Sequence, residues 1–184
     1  MTYYGAKELA AAFRTVRNNT IQIAEEIPED QYDFHPAPGV RTVAQTLMHV
    51  ANAYRFNYQV HGVEKRTKME GFDFPKFIGG IMADEQMPRN KAEIVQLLRD
   101  NGETVEKWLA SMSEDFLAET VTMPPHAQPP LKTRFEMLSG IKEHEMHHRG
   151  QLMLIERMLG ITPHLTRQMQ ERMAAMQPAA AARS

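Results

Sequence analysis

The chain has 184 residues, 42% of them hydrophobic, with a formal net charge of −2 and no cysteine. That length suits one domain with a proper core, and the near-neutral charge offers no basic face for nucleic acid. The absence of thiols excludes disulfides, thiolate ligands and a cysteine nucleophile, so any metal must be held by nitrogen and oxygen.

The first apolar stripe runs from Gly5 to Ile27, with Leu9, Phe13, Val16, Thr20, Ile23 and Ile27 at three- and four-residue spacing. This predicts a helix, ended by Pro28 and followed by a loop holding Pro36, Pro38 and Gly39. Thr42 with Gln45 forms a capping-box pattern for a second helix over Val43 to Val60. Thr46, Leu47, Val50, Ala53, Tyr54 and Asn57 trace its inner face, and His49 lies beside it. His61 to Pro88 reads as a long connection, rich in glycine and proline, whose Phe72, Phe74 and Phe77 should cover the bundle. Asn90 caps a third helix over Lys91 to Met112. The proline-rich stretch Glu119 to Pro130 reads as extended, forming a short hairpin with the residues just after Pro130. A fourth helix spans Lys132 to Leu159 and stops at Gly160. From Pro163 a short polar helix is expected up to Met176, then a frayed alanine-rich end.

Four amphipathic segments and scarce strand signals make an all-α four-helix bundle, and the long link between helices two and three leaves room for a crossover. The bundle should occupy residues 1–162 and an extension 163–184. No apolar run is long enough for a bilayer. Met1 to Glu8 lacks a basic segment followed by an apolar one, so the cytoplasm is the expected location.

The chemistry concentrates in Glu143-His144-Glu145-Met146-His147-His148-Arg149-Gly150-Gln151. His144 and His148 are four apart, one turn up the same helix face, and can aim two imidazoles at one ion. Letter for letter, His144 to His148 satisfies the H-E-x-x-H zinc-protease pattern. Against that reading stand the all-helical pattern and the lack of a recognisably spaced third ligand. A packed, hydrogen-bonded histidine pair is the bland alternative. Ile141, Leu152 and Ile155 place the pair near the buried edge, where unpaired imidazoles are costly. His49 can supply a third nitrogen. His147, about 100° around the helix from His148, should point away. Gln151 can contact a metal-bound water or make an ordinary helix hydrogen bond. His35, His61, His126 and His164 read as solvated, and Arg149 and Arg157 as surface groups. The fourteen methionines read as core filler.

A histidine on helix two, His-x-x-x-His on the last bundle helix, and His148-Arg149-Gly150-Gln151 resemble the DinB/YfiT-like metalloenzyme superfamily. The loop Ile27 to Val43 resembles that family's link between helices one and two. The resemblance covers the chain to about Thr162. It implies a four-helix bundle with a crossover and a metal triad of His49, His144 and His148. It also implies relatives that include thiol-dependent S-transferases and isomerases using low-molecular-weight thiols.

Three functions stay open. One is an enzyme with a divalent Zn, Ni or Fe ion, acting on a small-molecule substrate by thiol transfer or as a zinc hydrolase. No general base is visible, which leans away from hydrolysis. The second is a non-catalytic metal- or ligand-binding stress-response bundle that could pair as a homodimer. The third is a metal-free bundle with packed histidines.

Overall fold

The computed structural model describes residues 4–181, with side chains through Met176. α1 (Ala6–Glu26) buries Leu9, Phe13, Val16, Thr20 and Ile23 along one stripe. A 3₁₀ turn over Glu29–Gln31 leads to Tyr32, whose hydroxyl donates to Ala24 O at 2.6 Å and pins the loop back on α1. α2 (Val43–Asn52) starts at the Thr42–Gln45 capping box: Gln45 N donates to Thr42 Oγ1 at 3.1 Å and Thr42 N donates to Gln45 Oε1 at 3.0 Å.

The second helix is not continuous to Val60. α2 gives way to α3 (Tyr54–Asn57) and then to a π-turn over Tyr58–Val63. The cause lies in neighbouring helices. Arg17 Nη2 donates to Val50 O at 3.4 Å, and Asn101 Nδ2 donates to Ala51 O at 3.0 Å. Side chains that enter the carbonyl ladder disturb the regular i to i−4 pattern, and here Ala53 N turns to Val50 O.

The long connection carries a helix of its own, α4 (Phe74–Glu85), which packs on α2. Asp73 caps it by accepting from Lys76 N at 3.0 Å, and Pro75 sits in the first turn, where its missing N–H costs nothing. Phe72, Phe74 and Phe77 gather around Phe56 with ring centroids 5.3–6.2 Å away, so the aromatics do cover the bundle. α5 (Lys91–Ala110) follows its Asn90 cap, and α6 (Glu114–Ala118) is one short turn.

β1 (Thr120–Thr122) and β2 (Leu131–Thr133) pair antiparallel, Val121 opposite Lys132, which makes the expected small hairpin. The last bundle helix, α7 (Arg134–Met158), starts two residues later than the pattern indicates, because Lys132 and Thr133 belong to β2. Gly160, with φ +79°, ends it in the left-handed region where glycine is unstrained. α8 (His164–Ala181) outruns the expected end at Met176. The alanine-rich end after Met176, expected to fray, is instead helical through Ala181, and residues 182–184 lie outside the described residues.

α1, α2, α5 and α7 form the bundle. α5 and α7 each pack on both α1 and α2, which leaves α1 and α2 on one diagonal. Consecutive helices one and two are therefore not side by side, and the loop between them spans the diagonal. One apolar layer holds Ile23, Leu47, Ile94, Leu98 and Leu152. A second holds Leu9, Phe13, Val105, Leu109 and Leu138. Between them sits a buried ion pair. Arg17 donates from Nε and Nη2 to both Glu145 carboxylate oxygens at 2.9–3.1 Å, and from Nη1 to Leu98 O at 2.9 Å. Gly102 makes room for it: a Cβ there would stand 2.9 Å from Arg17 Cγ.

Among the described residues, no helix is long and apolar enough to cross a membrane.

Candidate metal centre

The packing of α2 on α7 and the register of α7 bring His49, His144 and His148 together. His144 Nε2 lies 3.0 Å from His49 Nε2 and 3.2 Å from His148 Nε2. The three ring centroids are 4.6–4.8 Å apart. Nitrogens bound tetrahedrally to one ion at about 2.0–2.1 Å sit roughly 3.3–3.4 Å from each other, close to both spacings.

The outer nitrogens say which tautomers are present. Glu85 Oε1 accepts from His49 Nδ1 at 2.6 Å, and Gln151 Oε1 accepts from His148 Nδ1 at 2.8 Å. Both oxygens only accept, so both Nδ1 atoms carry the proton, and in the neutral ring each Nε2 then presents a lone pair. A single proton on His144 Nε2 can serve one of its two neighbours. The other contact then sets lone pair against lone pair. A cation at the common point would take a lone pair from each Nε2 and remove that clash, so the donor set fits a divalent ion, although His144 Nδ1 is buried with no partner among the described residues.

Electrostatics agree. Burial, then the neighbouring His148 and His49, pulls the His144 pKa down to about 4. Burial also lowers that of His148, against the opposing contact from Gln151. Both shifts favour the neutral imidazole at His144 and His148, the form that ligates metal. Glu85, on α4, is buried, which raises its carboxyl. The His49 contact and Arg41 Nε, 3.0 Å away, outweigh burial and leave it below the usual range. A carboxylate behind a ligating histidine fixes its orientation and raises its basicity.

Glu85 and Arg41 carry no signal in the ligand pattern. The Asp73-Phe74-Pro75 start of α4, with Phe74, Phe77, Ile78 and Ile81 at helical spacing, is the cue that the segment is a helix. Gln151 holds the His148 ring and also contacts His147 Nε2 at 3.2 Å. His147 is exposed and turned out of the cluster. Glu145 points away into its ion pair with Arg17.

His61 and His164 are buried, contrary to their solvated reading. His61 Nδ1 accepts from Arg134 Nη1 at 3.0 Å, beneath the π-turn. His164 Nε2 meets Asn19 Oδ1 at 3.3 Å where α8 docks on α1. Arg149 is half-buried, with its Nε enclosed and unpartnered among the described residues. His35, His126 and Arg157 are exposed.

A cavity of about 450 Å³ opens beside His49 and His144 and is walled by Phe56, Phe74, Ile78, Ile81, Met137 and Ile141, so α4 of the long connection supplies part of it. A second, more polar opening of about 660 Å³ reaches His148, His147, Gln45 and Gln151 from the other side.

These titrations set a pH response for metal-free protein. Burial followed by the Arg134 charge holds His61 at about 4, as burial does for His144, and it lowers His148 and His164 as well. For such groups the unfolded chain binds more protons below the ordinary histidine value, so stability falls with pH from about 6.5 towards 4. Glu156 opposes this, since burial and then Glu26 raise it to about 7. Its contribution is complete below the ordinary glutamate value and is lost as pH rises through 7. Four histidines outweigh one glutamate, so thermal melts in chelator should show a lower midpoint at pH 5 than at pH 6.5. A flat or inverted profile would contradict the buried neutral rings.

A family model described as the DinB superfamily matches residues 12–152. No curated protein sequence matches the chain. Among solved structures, YfiT from Bacillus subtilis, described as a probable metal-dependent hydrolase with an unusual four-helix bundle topology, superposes with a TM-score of 0.67 at 16% identity, covering 88% of this chain and 91% of YfiT. The DinB-like protein YjoA from Bacillus subtilis gives a TM-score of 0.61 at 21% identity, covering 84% and 93%. A DinB-like protein from Bacillus cereus gives 0.65 at 17%, covering 88% and 97%. These likenesses speak for the fold. With a match over most of its length and the bundle in place, the chain belongs to the DinB superfamily.

Proposed function

We propose that this protein is a metal-dependent enzyme that binds one divalent Zn, Ni or Fe ion through His49, His144 and His148 and acts on a small molecule. The observation that carries the reading is the convergence of three Nε2 atoms, with two outer nitrogens fixed by Glu85 and Gln151. Three nitrogen ligands leave positions open, and open positions distinguish catalytic from structural sites. An ion so held supplies Lewis acidity, lowering the pKa of a bound thiol or water. The chain's own residues do the rest. Glu85 and Gln151 hold the rings, Arg41 steadies Glu85, and the apolar cavity excludes water beside the histidines.

Thiol transfer is the favoured chemistry, with the sulfur drawn from a low-molecular-weight thiol. Among the described residues, Glu85 is the only carboxylate lining the cavity beside His49 and His144, and it is taken up by His49 and Arg41, which leaves it poorly placed to serve a hydrolytic water as general base. Hydrolysis is the second reading, favoured by the description of YfiT. A cytoplasmic location and a homodimer complete the proposal. Residues 163–184 are read as an extension to a 1–162 domain, since the family match stops at 152 and Arg167 ties α8 to Glu26 of α1.

Elemental analysis of protein purified without a histidine tag, followed by parallel screens of thiols with electrophiles and of esters and amides, tests the proposal. One equivalent of metal and activity only in the thiol screen is the expected result. Metal-free native protein would sink the metalloenzyme, and activity only on esters or amides would replace transfer with hydrolysis.

A further inference from the structure

The main cavity reaches well past the histidines. His144, Ile141, Gly140 and Met137 line it from a single face of α7, and Lys132 on β2 lines it beyond the start of that helix. At 1.5 Å per residue, about 15 Å of helix axis separates Arg134 from His144. The cavity thus extends along α7, with the imidazoles, Arg41 and Glu85 in its lining and Lys132 beyond the start of the helix. Phe56, Phe74 and Ile81 form the apolar wall across from α7. Its 450 Å³ falls within the range of small-molecule sites.

Two features of this cavity call for a ligand. Gly140 lies inside a 25-residue helix, where glycine is unfavourable relative to alanine. No packing demands it, because a Cβ there would meet nothing within 4 Å. What the missing side chain leaves is width. Lys132 is half-buried and makes no ion pair among the described residues. Glu136, the acid one turn along, is held by Thr133 N and Oγ1 instead. After those Thr133 contacts, Lys132 helps lower the Glu136 carboxyl but forms no ion pair with it, and such a cation lining an apolar cavity favours an anion with an apolar body.

We propose that the substrate is an elongated apolar molecule with an anionic group at one end, lying along α7 with the anion at Lys132 Nζ. This rests on the metal-enzyme reading only for placing the reacting end at the histidines.

Isothermal titration of the full chain, as purified and again after chelation, with decanoate, decanol and decyltrimethylammonium tests it. Decanoate should bind at least tenfold more tightly than decanol, and the cation should not bind, in both preparations. Lys132→Glu should lower decanoate affinity to that of decanol and leave decanol unchanged. Gly140→Leu should abolish binding of both. Gly140→Ala, which favours the helix, should weaken decanoate several-fold without loss of folding. Metal content should match the parent in all three variants. Equal affinity for decanoate and decanol, no binding of either, or full binding by the Gly140 variants overturns the proposal. Decanoate binding by protein that carries no metal as purified, before any chelation, supports the cavity site and overturns the metal-enzyme reading alone.

Discussion

Replacing Glu145 with Ala should cost about 3–5 kcal/mol, the usual penalty for leaving one partner of a buried ion pair alone. At about 2–4 °C per kcal/mol for a chain of this size, the melting temperature should fall on the order of 6–20 °C. The reason is the enclosure of Arg17. It is 2% exposed, and two of its nitrogens face the carboxylate. Arg17→Ala should cost a similar amount by stranding Glu145, which is 1% exposed. The Arg17→Met/Glu145→Leu double variant should recover most of the loss, because apolar groups of similar volume often replace a buried pair without penalty. Recovery of stability need not restore the site. Arg17 touches α7 through Glu145, α5 through Leu98 O and α2 through Val50 O, so it sets where His49 stands relative to His144. The double variant should therefore fold well and bind metal more weakly. A double variant as unstable as either single one would contradict the ion-pair account.

The sequence exposes what is local and hides what is distant. Helical periodicity and the capping boxes at Thr42 and Asn90 follow from neighbouring residues, and each stands in the structure. The spacing of His144 and His148 fixes a shared face by helix geometry alone. His49 joins them because α2 packs on α7, a matter of tertiary packing that the apolar pattern only outlines. Glu85 escapes because it is 36 residues from His49 in a segment whose Gly79 and Gly80 disguise a helix as a loop. The burial of His61 depends on Arg134, 73 residues away, and that of His164 on Asn19, 145 residues away. No window of sequence holds both members of such a pair. The split of helix two has the same origin, since Arg17 and Asn101 reach its carbonyls from α1 and α5.

The contrast between His144, His147 and His148 should give the second large effect. All three lie within about one turn of α7, so they share helix propensity and chain context. Only the first and third face His49. His144→Ala and His148→Ala should each reduce bound metal to a small fraction of one equivalent, and His147→Ala should leave it near one. Thermal melts provide an independent reading. A ligand at 1,000 times its dissociation constant stabilises the folded state by about 4.1 kcal/mol, which for this chain is roughly 8–16 °C. The parent and His147→Ala should show that gain over chelator-treated protein, and His144→Ala and His148→Ala should not. Glu85→Gln should fall between them, because losing the carboxylate behind a ligating histidine typically costs 10–100-fold in metal affinity while all three nitrogens remain. The arrangement makes the ordering of the variants the decisive result. Loss in His147→Ala equal to that in His148→Ala would refute the choice of ligands by helix face. Full metal content in His144→Ala would place the ion elsewhere, since the geometry routes both short nitrogen contacts through that ring.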